Sequence, residues 1–580
     1  MKRLAFTALA LAGLGGVSSA APFVFPDAWS VSPTGAGEPR GTLREGSTSE
    51  PRGFNPFTDP SAPVVGGVNG SRGLFVSDPV TGDTVPYMAQ RYTVSENRLR
   101  WTMTLRPDMR WSDGTPVTAE DWVVTARIHS DRALSTNQRE RFFVEGKPVT
   151  VTSEGDNTVV FTFPKVVVNA LDTLSVPPQP AHIFRAAYDS SGAAGVRALW
   201  GASENPARIV TAGAFKLSNF EPGVRAVYTR NPYFSEWNLS ASAETLPHLE
   251  RVETRYYRDR ATMLEDYLDE RLDTFVTSNP LEVARLQSSL DGGTWRGTLR
   301  LNALAGGATT WMTFNWNRQS DPFKQALFRS AAFRQAISHL VNRERIVKEV
   351  YGGLATAQYG ALTASFGDWV APDIERYAFD PAAAAKLLAT VGFRTRNRDG
   401  LLETRDYRTL EFEVYIPNNS PESARAMEII RGDALEAGLR ITVTAVSPGV
   451  LINLLTAPGE DRPWDAVYSA LAFNTPGVYP LNGAYYSCFG RLHFFNTSGD
   501  CIDPLETQGM LLFDRGRQTL DLKARREIVR EAQTVTARLQ AVIHVAALTT
   551  HVAWQARVRG ELSTRQSDTT RWLELTWLGR

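Results

Sequence analysis

Residues 101–127, WTMTLRPDMRWSDGTPVTAEDWVVTAR, restrict the fold more than any other stretch of the chain. Trp101, Met103 and Leu105 alternate with threonines, the period of a half-buried strand. Asp113-Gly114 is a turn dipeptide, and Pro116 holds Thr115 extended. Thr118 opens a helix. Its hydroxyl caps the free N–H groups of the first turn, and Asp121 stands three residues on, as a capping box requires. Trp122, Val123 and Ala126 give that helix an apolar face. Strand, turn and capped helix are all encoded locally.

Residues 105–123, LRPDMRWSDGTPVTAEDWV, closely resemble the signature of the family 5 extracellular solute-binding proteins, the peptide, nickel and oligosaccharide receptors of ABC importers. Asp108 stands where that pattern has glycine. The signature is architectural: Asp113, Gly114 and Thr118 are expected to hold a turn and a cap rather than touch ligand.

Length and composition agree with an exported receptor. A chain of 580 residues exceeds one hydrophobic core, so two or three domains are expected. Sixty-two basic residues balance 62 acidic ones, which leaves no basic excess for nucleic acid. Lys2 and Arg3 precede a short apolar run ending in Ser18-Ser19-Ala20-Ala21, the pattern of a secretory signal peptide cleaved after Ala20 or Ala21. The run is too short to span a bilayer, and no cysteine near it suggests a lipid anchor. Cys488 and Cys501 are the only cysteines, and in an exported chain they are expected to pair, adding ~3 kcal/mol by the chain-entropy model. Seven scattered histidines lack metal-ligand spacing, so neither a metal nor a cofactor is expected.

Further motifs follow in the family's order. Residues 42–47 read as the first strand, and Phe54-Asn55-Pro56 resembles the family's L-N-P turn. By that resemblance the Gly- and Val-rich loop 63–69 lies beside the ligand, with Val65 and Asn69 as candidate contacts. His182 sits in a proline-rich connector, 176–183, not in a catalytic setting. Residues 211–217 and 230–234 resemble two later family segments, and 262–272 carries a helical apolar stripe ending at Asp273. Residues 302–308, NALAGGA, are a candidate domain crossing with Gly306 and Gly307 as hinge, and WMTFNWNR after it resembles a family strand. Residues 328–351 resemble the family's V-R-Q-A helix pair, in which Arg334 and Arg343 read as solvated or ion-paired helix surface, or as ligand groups. Strands at 411–416 and 441–446 flank a helix at 422–437, a βαβ pattern. After a long amphipathic helix, 522–539, the strand 542–547 is expected to return the chain to the first lobe.

The implied fold is α/β: a two-lobed periplasmic-binding-protein fold of type II, with an extra N-terminal subdomain and a discontinuous first lobe. The expected division is signal peptide 1–20, flexible leader 21–41, first lobe 42–75, inserted subdomain 76–205, first lobe again 206–308, second lobe 309–549, and first-lobe return 550–580.

Peptide-binding relatives place an acidic residue before a proline, downstream of a W-D strand, to pair with the ligand's ammonium. Here Trp464-Asp465 leads to Ala470-Leu471-Ala472-Phe473-Asn474-Thr475-Pro476, and no Asp or Glu occurs from 466 to 499. An ammonium buried without a counter-charge is expensive, so a peptide N-terminus is read differently here, or an acid reaches in from another loop. Tyr468, Phe473 and Asn474 are candidate ligand contacts, and the local aromatics keep an oligosaccharide open as the alternative solute. No hydrolase or phosphate-binding motif is present, which leaves an exported hydrolase a remote third reading. The expected protein is a monomeric receptor that hands a peptide-like solute to a membrane permease.

Overall fold

The computed structural model describes residues 23–24, 40–59, 62, 70–77, 84–107, 109–134, 136–234, 246–304, 308–473, 479–560, 573–574 and 576–579. The expected signal peptide, Asp108, Val65, Asn69, Gly306, Gly307 and Asn474 all lie outside these residues.

The signature folds as its residues dictate. Strand Arg100–Leu105 sits between Ala89–Val94 and Thr158–Thr162 in a five-stranded antiparallel sheet, and helix Ala119–Ser130 follows. Asp121, buried in that helix's first turn, accepts hydrogen bonds from the Thr118 N–H at 2.8 Å, the Trp111 indole at 3.2 Å and the Ala181 N–H at 2.7 Å. One carboxylate thus closes the capping box, fixes the indole at the turn and seats the start of helix Ala181–Arg197. Asn55 makes a structural turn. It is buried, donates to the Val196 and Leu199 carbonyls, and accepts from the Phe57 N–H.

The first lobe is discontinuous. Strand Thr42–Ser47 runs parallel to Arg251–Tyr256 at the edge of a four-stranded sheet, across 209 positions of chain. The segment expected as an inserted subdomain shares an apolar core with this sheet, because Leu43, Met103, Trp122 and Val252 belong to one buried cluster. A second large core runs from Trp311 to Ala546.

The second lobe is built on a six-stranded sheet in the order Ala355–Ala357, Val542–Leu548, Ala308–Phe314, Ala466–Ala472, Glu411–Pro417, Arg440–Val446. Glu411–Pro417 and Arg440–Val446 pair in parallel through helix Pro421–Ala437, the βαβ unit that the sequence pattern predicts. Val542–Leu548 is not the strand that returns the chain to the first lobe: it lies inside the second-lobe sheet, within the expected span 309–549, paired with Ala308–Phe314 and Ala355–Ala357. Its near-continuous burial is that of a central strand covered on both faces. The return is made by the next strand, Thr550–Gln555, which pairs with Thr274–Thr277 and Gly297–Leu304.

Two crossings therefore run side by side. Leu304 pairs with Thr550 on one side of them and Thr309 with Ala547 on the other.

Arg334 and Arg343 are neither helix surface nor cleft residues. Both are fully buried and spend their donors on backbone carbonyls: Arg334 on Leu539 and Phe328, Arg343 on Gln358, His544, Ser338 and Tyr377. Burial pulls their guanidinium groups down to about 9 and about 10.

Candidate functional site

Where the lobes face each other, the contacts come from short, separate pieces of chain. The first lobe offers the turn that follows Thr42–Ser47. Arg52 donates from Nη1 to Asn453 Oδ1 at 2.7 Å, onto helix Pro448–Thr456 of the second lobe. Asp59, buried at the end of that turn, lies 3.9 Å from Arg52.

The 3-10 turn Arg139–Phe142 and Phe143 make a second contact. The Arg139 guanidinium lies 4.4 Å from the Phe143 ring and 5.1 Å from the ring of Phe489 in the second lobe, and the two phenyl rings meet edge to face at 6.3 Å. Arg517 donates to the Phe143 carbonyl, the Val168 N–H donates to the Arg517 carbonyl, and Gln518 donates to Glu145 at 3.0 Å. Glu140, 6% exposed, packs its Cγ 3.0 Å from the point a side chain at Gly483 would occupy. Burial pushes its carboxyl up to about 7 against the pull of Arg141, Arg139 and Arg491. Arg491 is held below the usual arginine range by its own burial, with Arg52 adding to this and Asp59 and Glu140 opposing.

Phe489 and Arg491 ride on a loop fastened at both ends. Cys488 and Cys501 form a disulfide with Cα atoms 5.2 Å apart. Just beyond the loop, on helix Pro504–Gln518, Glu506 accepts from the loop's His493 Nε2 at 2.8 Å and Asn496 Nδ2 at 2.9 Å, and from the N–H groups of Ile502 and Asp503 at 2.8 and 2.7 Å. Burial works against its charge, but His493 and these donors hold the carboxyl below its ordinary value. Cys488, His493 and Glu506 offer ligand atoms within 4.8 Å of one another, yet the sulfur is committed to Cys501, so no thiolate is available to a metal.

Of the residues singled out as ligand contacts, Tyr468 and Phe473 are described, and both are buried. Tyr468 sits on strand Ala466–Ala472 opposite Met312, its hydroxyl pushed up to about 12 by burial. Phe473 meets Trp311, Tyr485 and His544 with ring centroids 5.6, 5.1 and 5.6 Å away. A separate interlobe crevice of about 350 Å³ lies between Arg258, Arg260 and Asn279 of the first lobe and Asn418, Asn419 and Pro421 of the second. Neither Tyr468 nor Phe473 lines it.

Sequence reasoning missed Arg52, Asp59, Glu140, Arg491 and Glu506. Only Glu506 carried a local signal, because Asp503-Pro504 with Glu three places after the aspartate spells a capping box. The others acquire meaning from partners in the opposite lobe.

The model of the family described as bacterial extracellular solute-binding proteins, family 5 Middle, matches residues 83–491. A Deinococcus radiodurans protein described as a probable ABC transporter-binding protein is 35% identical and is covered over 100% of both chains. Among solved structures, the Agrobacterium fabrum periplasmic binding protein MelB, in complex with stachyose, superposes with a TM-score of 0.80 at 18% identity, covering 94% of this chain and 85% of that one. The Bacillus subtilis oligopeptide-binding protein AppA, in complex with a nonapeptide, gives 0.77 at 16% identity, covering 94% and 100%. Among the described residues no helix is long and apolar enough to cross a membrane.

Proposed function

Because this chain belongs to the family 5 bacterial extracellular solute-binding proteins and is the solute-binding component of an ABC transporter, we propose that it captures a peptide-like solute between its lobes outside the cytoplasm and passes it to a membrane permease. The observation that carries this reading is the pair of adjacent crossings, Leu304–Thr550 and Thr309–Ala547, between the second-lobe core and a separately packed first-lobe core around Phe275, Trp295 and Ala553. Two bodies joined by two strands can rotate about them without unpacking either core. A solute touching both lobes binds the closed arrangement better than the open one and shifts the population towards it. The solute leaves unchanged, and no step of catalysis is needed.

A peptide-like solute fits the nonapeptide-bound neighbour, and the stachyose-bound neighbour keeps an oligosaccharide as the second reading. The experiment is native mass spectrometry of protein purified from its own host. A co-purifying mass released intact on mild denaturation identifies the solute class. Protein that is empty, and whose thermal midpoint is unmoved by peptide or sugar libraries, overturns the proposal. A released mass that is chemically altered would make it an enzyme instead.

A further inference from the structure

We propose that the disulfide-closed loop 488–501 of the second lobe is a closure latch, seating Phe489 and Arg491 on the first-lobe turn 139–143 and covering Glu140 only when the lobes are shut. The inference rests on the two-lobed closing mechanism proposed above, and it adds where the jaws grip each other and what solution condition tunes that grip.

Three observations converge on the loop. First, it is stiffer than its length suggests: the disulfide joins its ends, and two of its side chains, His493 and Asn496, donate to Glu506 on the helix that follows. His493 is also tied back to the Tyr485 carbonyl at 2.8 Å. A ligand-free surface loop has no need of such bracing, whereas a part that must dock in register does. Second, its outward side chains meet the other lobe. Phe489 is sandwiched by Arg139 and Phe143, a cation–ring and edge-to-face set that ties two lobes without a deep apolar interface. Third, Arg491, half-buried, stands close enough to Asp59 and Glu140 for their charges to act on it, and Glu140 packs its Cγ against Gly483. The charged groups facing Glu140 are Arg139 and Arg141 of its own turn and Arg491 of the loop. Asp59 and Arg52 act on Arg491 in turn.

Because Gly483 and Arg491 belong to the opposite lobe, separating the lobes returns Glu140 to water and to an ordinary carboxyl. In the closed form burial raises that carboxyl from 4.5 to about 7. The raised form is the closed one, so closure is favoured below the open-state value, and the advantage is lost as pH rises through about 7.

The test places a donor and an acceptor dye on exposed cysteines engineered one in each lobe of the mature protein, and reads the interlobe distance without added ligand. The wild-type closed population is expected to rise by up to about a hundredfold from about pH 8 to about pH 5. Glu140→Gln should hold the acid value at both pH values. Phe489→Ala, which alters only a loop side chain, should shift the molecule towards open at both. The proposal is overturned if Glu140→Gln keeps the wild-type pH profile or if Phe489→Ala leaves the distance unchanged. Failure of the underlying reading looks different: there the wild-type distance ignores both pH and a peptide or sugar library.

Discussion

Arg557 grips Asp273 with both arms of its guanidinium, Nε at 2.7 Å and Nη2 at 2.8 Å, across 284 positions of sequence. Asp273 is wholly buried and also accepts the Arg44 N–H at 2.7 Å. One carboxylate therefore ties together the first strand, the middle and the C-terminal return of the first lobe. Asp273→Asn leaves two arginines without their charge partner. Both are partly exposed, so the cost falls below that of a fully buried pair, at about 2–3 kcal/mol. Urea unfolding is expected to show the lower midpoint, with limited proteolysis cutting first around residues 550–560. An unchanged midpoint would mean that the arginines find other partners.

Asp121 should behave as a structural hub with a pH signature. Asp121→Asn must turn an amide N–H towards one of its three donors, costing about 1–3 kcal/mol. Burial holds the native carboxyl up to about 6, against its hydrogen bonds to Ala181, Thr118 and Trp111. The folded state thus keeps a proton that the unfolded state has lost, and this group's contribution to stability falls as pH rises from about 4 to about 6. Comparing the pH dependence of unfolding in the two proteins should show that slope only in the native one.

His544 acts with the opposite sign. Burial, helped by the Arg343 charge, lowers its ring to about 3, and Nδ1 lies 2.9 Å from Thr309 Oγ1. The fold keeps it neutral, so its stabilisation is complete above about pH 6.5 and is lost as pH falls towards about 3, by up to about 1.4 kcal/mol per pH unit. His544→Gln should flatten that part of the acid-unfolding curve. A variant with the same acid slope as the native protein would place the slope elsewhere.

The Cys488–Cys501 bridge closes a separation of 13 residues, for which the chain-entropy estimate is about 3 kcal/mol. The Glu506 hydrogen bonds already restrict the same loop, so reduction, or Cys488→Ser with Cys501→Ser, should cost less, about 2 kcal/mol. Combining the double serine variant with Glu506→Gln should cost more than the sum of the separate losses, because each fastening substitutes for the other. Strict additivity in unfolding midpoints would show that the two act on different parts of the loop.

What the sequence made legible was what it encodes over short distances. The turn and capped helix after Trp101 and the βαβ unit at 411–446 each depend on residues a few positions apart. Arg334 and Arg343 were misread because an arginine on a helix is ordinarily solvated, and the carbonyls that bury these two come from Leu539 and His544, about two hundred positions away. The return to the first lobe falls one strand later than the apolar run 542–547 suggests, for the same reason: that run announces a central strand, but not which sheet. The interlobe groups Glu140, Asp59 and Arg491 carry no local pattern at all, since their chemistry exists only across the gap.

The parallel pairing of Thr42–Ser47 with Arg251–Tyr256, together with the late arrival of Thr550–Gln555 beside Gly297–Leu304, sets an order of assembly. A chain emerging N-terminus first can complete the second-lobe sheet once residue 548 is out, while the first lobe still lacks an interior strand. The lobe made first is thus the last to be finished: its three-stranded sheet waits for a strand that leaves the ribosome only after the whole second lobe.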